Sequence, residues 1–318
     1  MPHTYRDPRT NGIPEKVFEI ISSDEIYELT AIQTMQINSL YQLYSIKLCN
    51  ESLLKETETL LFMPDLFNYF LTGEKKSEYT IASTSQLMNV NNKFFDKKIF
   101  SALGLPLNIM APIVMPGTVM GKLLPEIASE IGIKEIDVVA VGSHDTASAV
   151  AAVPAKDGDW AYLSSGTWSL IGIEINKPII DASVKNEFTN EGGVGGNFRY
   201  LHNTIGMWII QELKRGWNSD GEILNFNDII DLASTASGDL PSINFDDKIF
   251  LNPPDMVEAI KNYCIRTEQK CPKKKGEFAR VVFESLASKY RIVLEKIENL
   301  SNKKIEKLHI VGDRKSVV

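Results

Sequence analysis

Residues 142–146, which read Gly-Ser-His-Asp-Thr, have the types and spacing needed for acid–base chemistry. The apolar run at 138–141 ends at Gly142 and predicts a strand buried on both faces. Residues 146–153 are mostly small and apolar and predict a helix, so Asp145 falls at or near the helix start. A carboxylate there stays ionised and could accept a proton from a hydroxyl group whose oxygen attacks a phosphoryl group.

Both polar side chains at the centre of this segment also have a structural interpretation. Aspartate is a common helix N-cap, and spacing alone favours that use of Asp145 over a catalytic one. His144 fits a structural histidine and a ligand-binding one about equally well. Because open α/β sheets bind ligands at the carboxyl ends of their strands, a site is nevertheless expected at this position.

Two further segments could bind phosphate. Residues 164–168, Ser-Ser-Gly-Thr-Trp, read as a tight hairpin turn whose hydroxyl and backbone N–H groups can hold phosphate oxygens. Serine and glycine are also ordinary turn residues, so the signal is weak by itself. The glycine-rich residues 191–197 lack the Gly-Lys-Ser/Thr ending of a Walker loop and, taken alone, predict a flexible loop.

The composition is that of a folded, acidic, globular protein. The 318 residues, 43% hydrophobic and 24% charged, suffice for a sizeable core. A net charge of −7 argues against nucleic acid or an anionic membrane as the main partner, because both require a basic surface. The sequence has neither an apolar run of transmembrane length nor an apolar signal core at its start, which predicts a cytoplasmic location.

The cysteines and histidines are not spaced as metal ligands. Cys264 and Cys271 are separated by six residues without a nearby histidine, so free thiols in a reducing compartment are expected. The four histidines are scattered along the chain, at His3, His144, His202 and His309. The sequence therefore predicts no metal-binding residues.

The elements that must position these residues change in character along the chain. The first region is predicted to be mostly helical, with helices at 15–21, 39–49, 64–71 and 95–103. Strands and helices then alternate: strands at 160–164 and 167–175 forming a hairpin, a second hairpin around 191–197 with a strand at 198–201, helices at 204–217 and 277–300, and a strand at 308–311. This order predicts a two-domain α/β or α+β protein with its boundary in the polar turn at 154–159.

Several segments, in order along the chain, resemble the FGGY carbohydrate kinases, and within that family they are most similar to the kinases of L-rhamnulose. The segments that carry the resemblance are 5–10, 63–73, 78–83, 141–150, 162–168, 188–193, 206–208 and 308–312. They cover nearly the whole chain, and Gly-Ser-His-Asp-Thr-Ala-Ser-Ala at 142–149 is highly specific. With this resemblance, the catalytic interpretation of Asp145 is favoured over the N-cap.

The resemblance implies an α/β fold of the actin-like ATPase and sugar-kinase type, with two ribonuclease-H-like domains. Residues 1–153 would form part of the N-terminal, sugar-binding domain, and residues 154–318 part of the C-terminal, nucleotide-binding domain. The implied partners are a small-molecule sugar and ATP, with Mg²⁺ as the metal ion. The implied reaction is phosphorylation of L-rhamnulose at O1.

The resemblance also implies roles for individual residues. Asp145 matches the general base of the family, and His144, Asp145 and Thr146 match its sugar-binding residues. The residues that match nucleotide contacts are Thr167, Asn203 and Gln211.

The sequence departs from the family pattern at both ends and at one cysteine. The first strand and phosphate-binding turn of the family have no counterpart ahead of Tyr5, and Asp313 follows Gly312 where the family continues into a glycine triplet. We therefore expect a first domain incomplete at its N-terminus and a second truncated at its C-terminus. Some relatives have a disulfide in the second domain; Cys264 matches one partner but Val281 the other, so no such bond is expected.

Two alternatives to the rhamnulose kinase remain open. One is a kinase of the same family that acts on another ketose or on a polyol. The other is a catalytically inactive fragment with poor solubility and negligible turnover, because phosphoryl transfer requires donor, acceptor and metal to be positioned together.

Overall fold

A computed structural model describes residues 8–155, 158–219, 221 and 223–312. Residues 5–7 of the first resembling segment, residues 156–157 of the predicted boundary turn, and Asp313 lie outside the described residues. The chain divides into two compact units. Unit 1 comprises residues 1–152 and 174–201, and unit 2 comprises residues 153–173 and 202–318. The first crossing between units lies beside the predicted boundary at 153/154, and residues 174–201 belong to unit 1.

The described residues form α-helices separated by short strands. The helices are α1 (Ile13–Phe18), α2 (Ser23–Thr30), α3 (Ser39–Cys49), α4 (Glu51–Glu56), α5 (Met63–Thr72), α6 (Tyr79–Ser83), α7 (Lys97–Leu103), α8 (Pro125–Glu130), α9 (Asp145–Ala151), α10 (Trp208–Ser219), α11 (Phe226–Thr235), α12 (Met256–Arg266) and α13 (Lys275–Ser301). The strands are β1 (Ser77–Glu78), β2 (Ile113–Val114), β3 (Val119–Lys122), β4 (Asp137–Val139), β5 (Trp160–Ser165), β6 (Trp168–Ile175), β7 (Phe188–Gly192), β8 (Phe198–Ile205) and β9 (Lys307–Val311).

Helices α5 and α7 end at the predicted glycines, whereas α1 (13–18) is shifted from the predicted 15–21 and α7 begins at Lys97 rather than at residue 95. Pro64 lies in the first turn of α5, and Gly73 ends that helix in the left-handed conformation, with φ of 75°. Asp96 caps α7 by accepting hydrogen bonds from the backbone of Lys98 and Ile99, and Gly104 ends it. The core between the helices is built of buried apolar side chains, among them Ile26, Leu40, Tyr41, Leu87 and Phe100.

Small sheets complete unit 1. Strands β1 and β2 pair in parallel, strands β3 and β4 pair antiparallel, and β7 lies beside β8. The β7–β8 connection is the predicted second hairpin, closed by a hydrogen bond from Gly193 N to Asn197 O at 2.9 Å. This connection places residues 188–201 in the same unit as α6 and α9.

The prediction of a doubly buried strand before Gly142 is wrong. The strand is short, Asp137–Val139, and pairs antiparallel with β3. Val139 is 46% exposed and Val141 is 65% exposed. Helix α5 contacts both β3 and β4, and an apolar run alone cannot tell whether one face or both faces of its strand will be covered.

Unit 2 combines a sheet with a helical layer. Its strands lie in the order β8-β6-β5-β9; β5 pairs antiparallel with β6 and parallel with β9, which confirms the first predicted hairpin and the final strand. Helix α13, predicted at 277–300, is confirmed and packs along α11. The core between the helices contains Phe245, Phe250, Ile260 and Val282.

One helix prediction in unit 2 is partly wrong. Residues 204–205 belong to the end of β8, and α10 begins only at Trp208. The apolar spacing of Ile205, Trp208 and Ile209 suits a helix, but Gly206 interrupts it at the point where the chain turns. In the part of the chain that the structure describes, no helix combines the length and apolar character needed to cross a membrane.

Candidate active site

Asp145 is the first residue of α9 and points into solvent. Its side chain is 97% exposed, and Oδ1 accepts hydrogen bonds from the Thr146 backbone N–H at 2.6 Å and from the Thr146 hydroxyl at 3.3 Å. His144 occupies the N-cap position, so the capping interpretation of Asp145 does not hold. The three predicted sugar-binding residues, His144, Asp145 and Thr146, therefore lie side by side at one turn of unit 1.

A buried carboxylate on a distant segment holds the turn that leads to Asp145. Glu78 is fully buried, and its Oε2 accepts a hydrogen bond from the Ser143 N–H at 3.0 Å. The His144 N–H donates to Thr80 Oγ1 at 3.1 Å, and the Thr80 hydroxyl donates to Glu78 Oε2 at 2.5 Å. The start of α6 and the turn before α9 are thereby joined through two side chains.

A second buried carboxylate lies beneath Glu78. Asp65, from α5, is fully buried, and its Oδ1 accepts a hydrogen bond from the Glu78 backbone N–H at 3.0 Å. Burial raises the pKa of Asp65 to about 7, and the nearby Glu78 charge acts in the same direction. The Asp65 carboxyl therefore changes its charge near neutral pH.

The His144 imidazole contacts a buried ion pair on the β7–β8 hairpin. Arg199 is completely buried, and its Nη2 lies 3.0 Å from Glu191 Oε2 and 2.8 Å from His144 Nδ1. Burial by itself raises the pKa of Glu191, but its polar neighbours, the Arg199 guanidinium among them, outweigh burial and hold that pKa below its ordinary value. On the other side of the ring, His144 Nε2 lies 3.7 Å from Asp145 Oδ1.

The hairpin can approach α6 because residue 192 has no side chain. A Cβ atom at Gly192 would lie 2.7 Å from Tyr79 Cε1 and 3.1 Å from Ser83 Oγ. The Gly192 N–H donates to Ser83 Oγ at 2.8 Å, and its carbonyl accepts from Arg199 Nε at 3.0 Å. Gly192 thus links the ion pair of the hairpin to α6.

The predicted nucleotide contacts lie in unit 2, around the turn between β5 and β6. Thr167 is exposed in this turn, and its carbonyl accepts a hydrogen bond from Gly206 N at 3.1 Å. The adjacent Met207 N–H donates to Gly166 O at 2.9 Å. Asn203 precedes Gly206 on β8, and Gln211 lies in the first turn of α10, so both belong to the elements that meet at this turn.

Two glycines allow this close approach of backbone to backbone. A Cβ atom at Gly206 would lie 2.5 Å from Ser169 Oγ and 2.8 Å from Gly166 O. Gly312, with φ of 121°, would place a Cβ 2.5 Å from Ser165 O. Substitution at either position would force the turn to move. The cluster at 165–167, 206–207 and 312 is therefore built from main-chain atoms packed closely against one another.

The sequence analysis singled out the segment at 142–146 but missed the side chains that hydrogen-bond to it. It assigned no role to Arg199, and it did not connect Glu78 or Thr80 with the turn at 143–144. One signal was present: Arg199 is the charged residue of an otherwise apolar and aromatic run at 198–201. A charged side chain at the centre of a buried strand requires a partner of opposite charge.

The chain matches two models of one protein family. Residues 3–152 match the N-terminal domain of the FGGY family of carbohydrate kinases, and residues 161–313 match its C-terminal domain. The chain belongs to the FGGY family.

Several characterised FGGY kinases are similar in sequence to this chain. It is 44% identical over 312 residues to a rhamnulokinase from Bacteroides thetaiotaomicron, covering 98% of this chain and 64% of that protein. It is 39% identical over 310 residues to a rhamnulokinase from Bacillus subtilis, covering 97% and 63% respectively. The chain thus spans slightly less than two thirds of the length of these relatives.

Solved structures of other FGGY kinases confirm the fold. A xylulose kinase from Rhodospirillum rubrum superimposes with a TM-score of 0.72 at 14% identity, covering 96% of this chain and 66% of that one. A xylulose kinase from Lactobacillus acidophilus gives a TM-score of 0.68 at 17% identity, covering 97% and 62%. The predicted two-domain sugar-kinase fold is therefore confirmed.

Within the described residues, no three His, Cys, Asp or Glu side chains are placed to hold a metal ion together. Mg²⁺ in phosphoryl-transfer sites is commonly held by one or two carboxylates plus the phosphates of the substrate. The Mg²⁺ that the resemblance implies would therefore be held mainly by the nucleotide phosphates.

Proposed function

We propose that this FGGY chain takes part in the ATP-dependent phosphorylation of L-rhamnulose at O1, in the cytoplasm. The observation that carries the proposal is the exposed carboxylate of Asp145, held at the first turn of α9 beside His144 and Thr146. The sequence similarity to rhamnulokinases over 98% of the chain supports the choice of sugar.

Asp145 acts as the general base in this reaction. It takes the proton of the O1 hydroxyl while that oxygen bonds to the γ-phosphorus of ATP and the bond from that phosphorus to the bridging oxygen of ADP breaks. A positioned base typically contributes a factor of about 10² to 10⁴ in rate. His144 and Thr146, on either side of the base, contact the sugar hydroxyls and orient O1.

The turn cluster of unit 2 binds the nucleotide. The exposed Thr167 contacts phosphate oxygens through its hydroxyl and its backbone N–H, with Asn203 and Gln211 as further contacts. Bound Mg²⁺ would neutralise charge developing on the phosphates. Each unit thus binds one of the two substrates, unit 1 the sugar and unit 2 the nucleotide.

The deciding experiment measures ADP release by the purified chain with L-rhamnulose, xylulose or glycerol as the acceptor. We expect rhamnulose-dependent release that falls by at least about 10²-fold in Asp145→Asn. Asp24→Asn is a matched control, because Asp24 is another exposed carboxylate in the first turn of a unit 1 helix. Preference for xylulose or glycerol would replace the proposed sugar. Sugar binding without ADP release would overturn phosphorylation by this chain.

A further inference from the structure

The buried Arg199 constrains the protonation of the His144 ring. A guanidinium group has only donors and stays charged at every accessible pH. Its Nη2 carries two hydrogens and has two close neighbours, Glu191 Oε2 at 3.0 Å and His144 Nδ1 at 2.8 Å. Nη2 can bond both neighbours at once if each accepts one of its hydrogens. In that arrangement His144 Nδ1 is the unprotonated nitrogen of the ring.

The contact between Glu191 and His144 admits a second arrangement, which the geometry disfavours. Glu191 Oε2 lies 3.2 Å from His144 Nδ1, so a proton on Nδ1 would have a carboxylate to bond. That proton would also face a permanent donor, Arg199 Nη2, at 2.8 Å. Two donors at this separation repel each other, whereas in the first arrangement Nη2 bridges the two acceptors.

We propose that Arg199 and Glu191 are positioning residues for the reaction, and that they hold His144 as the neutral tautomer protonated on Nε2. Glu191 keeps the buried guanidinium paired, and Arg199 assigns the acceptor role to Nδ1. This role rests on the proposed sugar kinase, because it concerns how His144 meets the substrate.

The Nε2 tautomer places a hydrogen-bond donor, His144 Nε2–H, near an acceptor, the Asp145 carboxylate. With its proton on Nε2, His144 presents an N–H toward the side of the ring where Asp145 Oδ1 lies, 3.7 Å away. That distance is too long for a direct hydrogen bond and leaves both groups available to substrate oxygens. The base accepts the proton of the attacking hydroxyl, and His144 Nε2–H donates to an adjacent sugar oxygen. The opposite tautomer would present a lone pair to Asp145 and offer the sugar no donor.

The charged groups that face the His144 ring are Arg199 and Glu191 on one side and Asp145 on the other. Replacing Arg199 by methionine leaves Glu191 as the partner of Nδ1. The proton should then move to Nδ1, where it can bond the carboxylate. Replacing Arg199 by lysine keeps a permanent donor, so the proton should stay on Nε2.

Nitrogen-15 NMR of histidine-labelled protein measures this directly, because protonated and bare ring nitrogens resonate at well-separated frequencies. The chain has four histidines, and the spectrum of His144→Gln identifies the His144 signals. We expect Nε2–H in the unsubstituted protein and in Arg199→Lys, and Nδ1–H in Arg199→Met. A proton on Nδ1 in the unsubstituted protein would overturn the proposal, even if neither variant folds.

Steady-state kinetics test whether the tautomer of His144 affects the reaction. Arg199→Met should lower kcat/KM for the sugar by about tenfold or more, through loss of the Nε2–H donor, and Arg199→Lys should recover much of it. Arg280→Met, which removes an exposed arginine of unit 2, is the control and should leave kcat/KM unchanged. Equal kcat/KM in all variants would refute the positioning role. Absence of any turnover would refute the proposed function instead, since the NMR result does not depend on activity.

Discussion

The candidate sugar-binding segment of unit 1 and the candidate nucleotide-binding turn of unit 2 are held by different kinds of contact. In unit 1, buried charged side chains hold the segment around Asp145, namely Glu78 through the Ser143 backbone and the Arg199–Glu191 pair through His144. In unit 2, main-chain atoms hold the turn around Thr167, and glycines supply the necessary space. The segment in unit 1 is therefore held through side chains, whereas the turn in unit 2 is held mainly through its main chain.

This difference suits the two proposed ligands. A sugar offers hydroxyl groups in a fixed stereochemical arrangement, so its recognition requires side chains with defined donor and acceptor roles. A triphosphate offers many equivalent oxygens, and backbone N–H groups in a tight turn are enough to bind it. The cost also differs: buried charges must remain paired, while a close backbone approach requires only that no Cβ intrudes.

The largest effect should follow from breaking the buried pair in unit 1. Arg199→Met leaves the Glu191 carboxylate buried without its permanently charged partner, and we expect the free energy of unfolding to fall by about 3–5 kcal/mol. Urea denaturation monitored by circular dichroism measures it. The double variant Arg199→Met with Glu191→Gln removes both charges and should recover a substantial part of the loss.

An exposed arginine–glutamate pair offers the matched comparison. In the Arg280–Glu284 pair the side chains are 38% and 63% exposed, and Arg280→Met should cost no more than about 1 kcal/mol. If Arg199→Met costs as little as Arg280→Met, buried charge does not hold unit 1 together and the contrast between the halves fails.

A moderate effect is expected from filling the backbone contact in unit 2. In Gly206→Ala the new Cβ would lie 2.5 Å from Ser169 Oγ and 2.8 Å from Gly166 O, so the turn must shift. Such overpacking typically costs about 1–3 kcal/mol. ATP affinity, measured by calorimetry, should fall as well, while sugar affinity should not change. Unaltered ATP binding would show that this turn is not the nucleotide site.

A smaller effect concerns the pH dependence of stability, which we expect from the buried Asp65 of unit 1. The pKa of Asp65 is raised from an ordinary value of 3.8 to about 7, so between these pH values the folded chain holds a proton that the unfolded chain has lost. Its contribution to stability is therefore present at low pH and is lost as the pH rises toward 7. Asp65→Asn removes this dependence, because an amide does not titrate in this range.

Thermal unfolding at pH 5 and pH 8 tests whether the contribution of Asp65 to stability falls as the pH rises. The melting temperature of Asp65→Asn relative to the unsubstituted protein should be higher at pH 8 than at pH 5. Gly206→Ala, whose effect is steric, should show the same difference at both pH values. Parallel pH profiles for Asp65→Asn and the unsubstituted protein would mean that Asp65 does not titrate as its burial requires.

Local signals in the sequence were enough to locate several helices and the segment around Asp145. Periodicity predicted α3 and α13, glycines marked the ends of α5 and α7, and the apolar run before Gly142 placed Asp145 at a helix start. These features depend on neighbours within a few residues along the chain. That dependence explains why they can be predicted from one sequence.

Features that depend on distant partners could not be predicted in the same way. Glu78 is 65 residues from Ser143, and Arg199 is 55 residues from His144, so neither contact leaves a local pattern. The coverage of β4 likewise depends on which elements pack on its faces, and its apolar residues turned out to be exposed. The sequence thus located the candidate base, while the side chains that contact its neighbours Ser143 and His144 became visible only in three dimensions.

The smallest expected effect concerns a glycine that has no packing role. Gly216 lies inside α10, and a Cβ atom there would meet no heavy atom within 4 Å. Because glycine is less favourable than alanine within a helix, Gly216→Ala should stabilise the chain by up to about 1 kcal/mol. Gly206, two residues before the same helix, should respond with the opposite sign because its Cβ would meet backbone. Urea denaturation of the two variants side by side checks this reversal. A loss of stability in both variants would contradict the prediction, because it would show that the close backbone contact does not set Gly206 apart from Gly216.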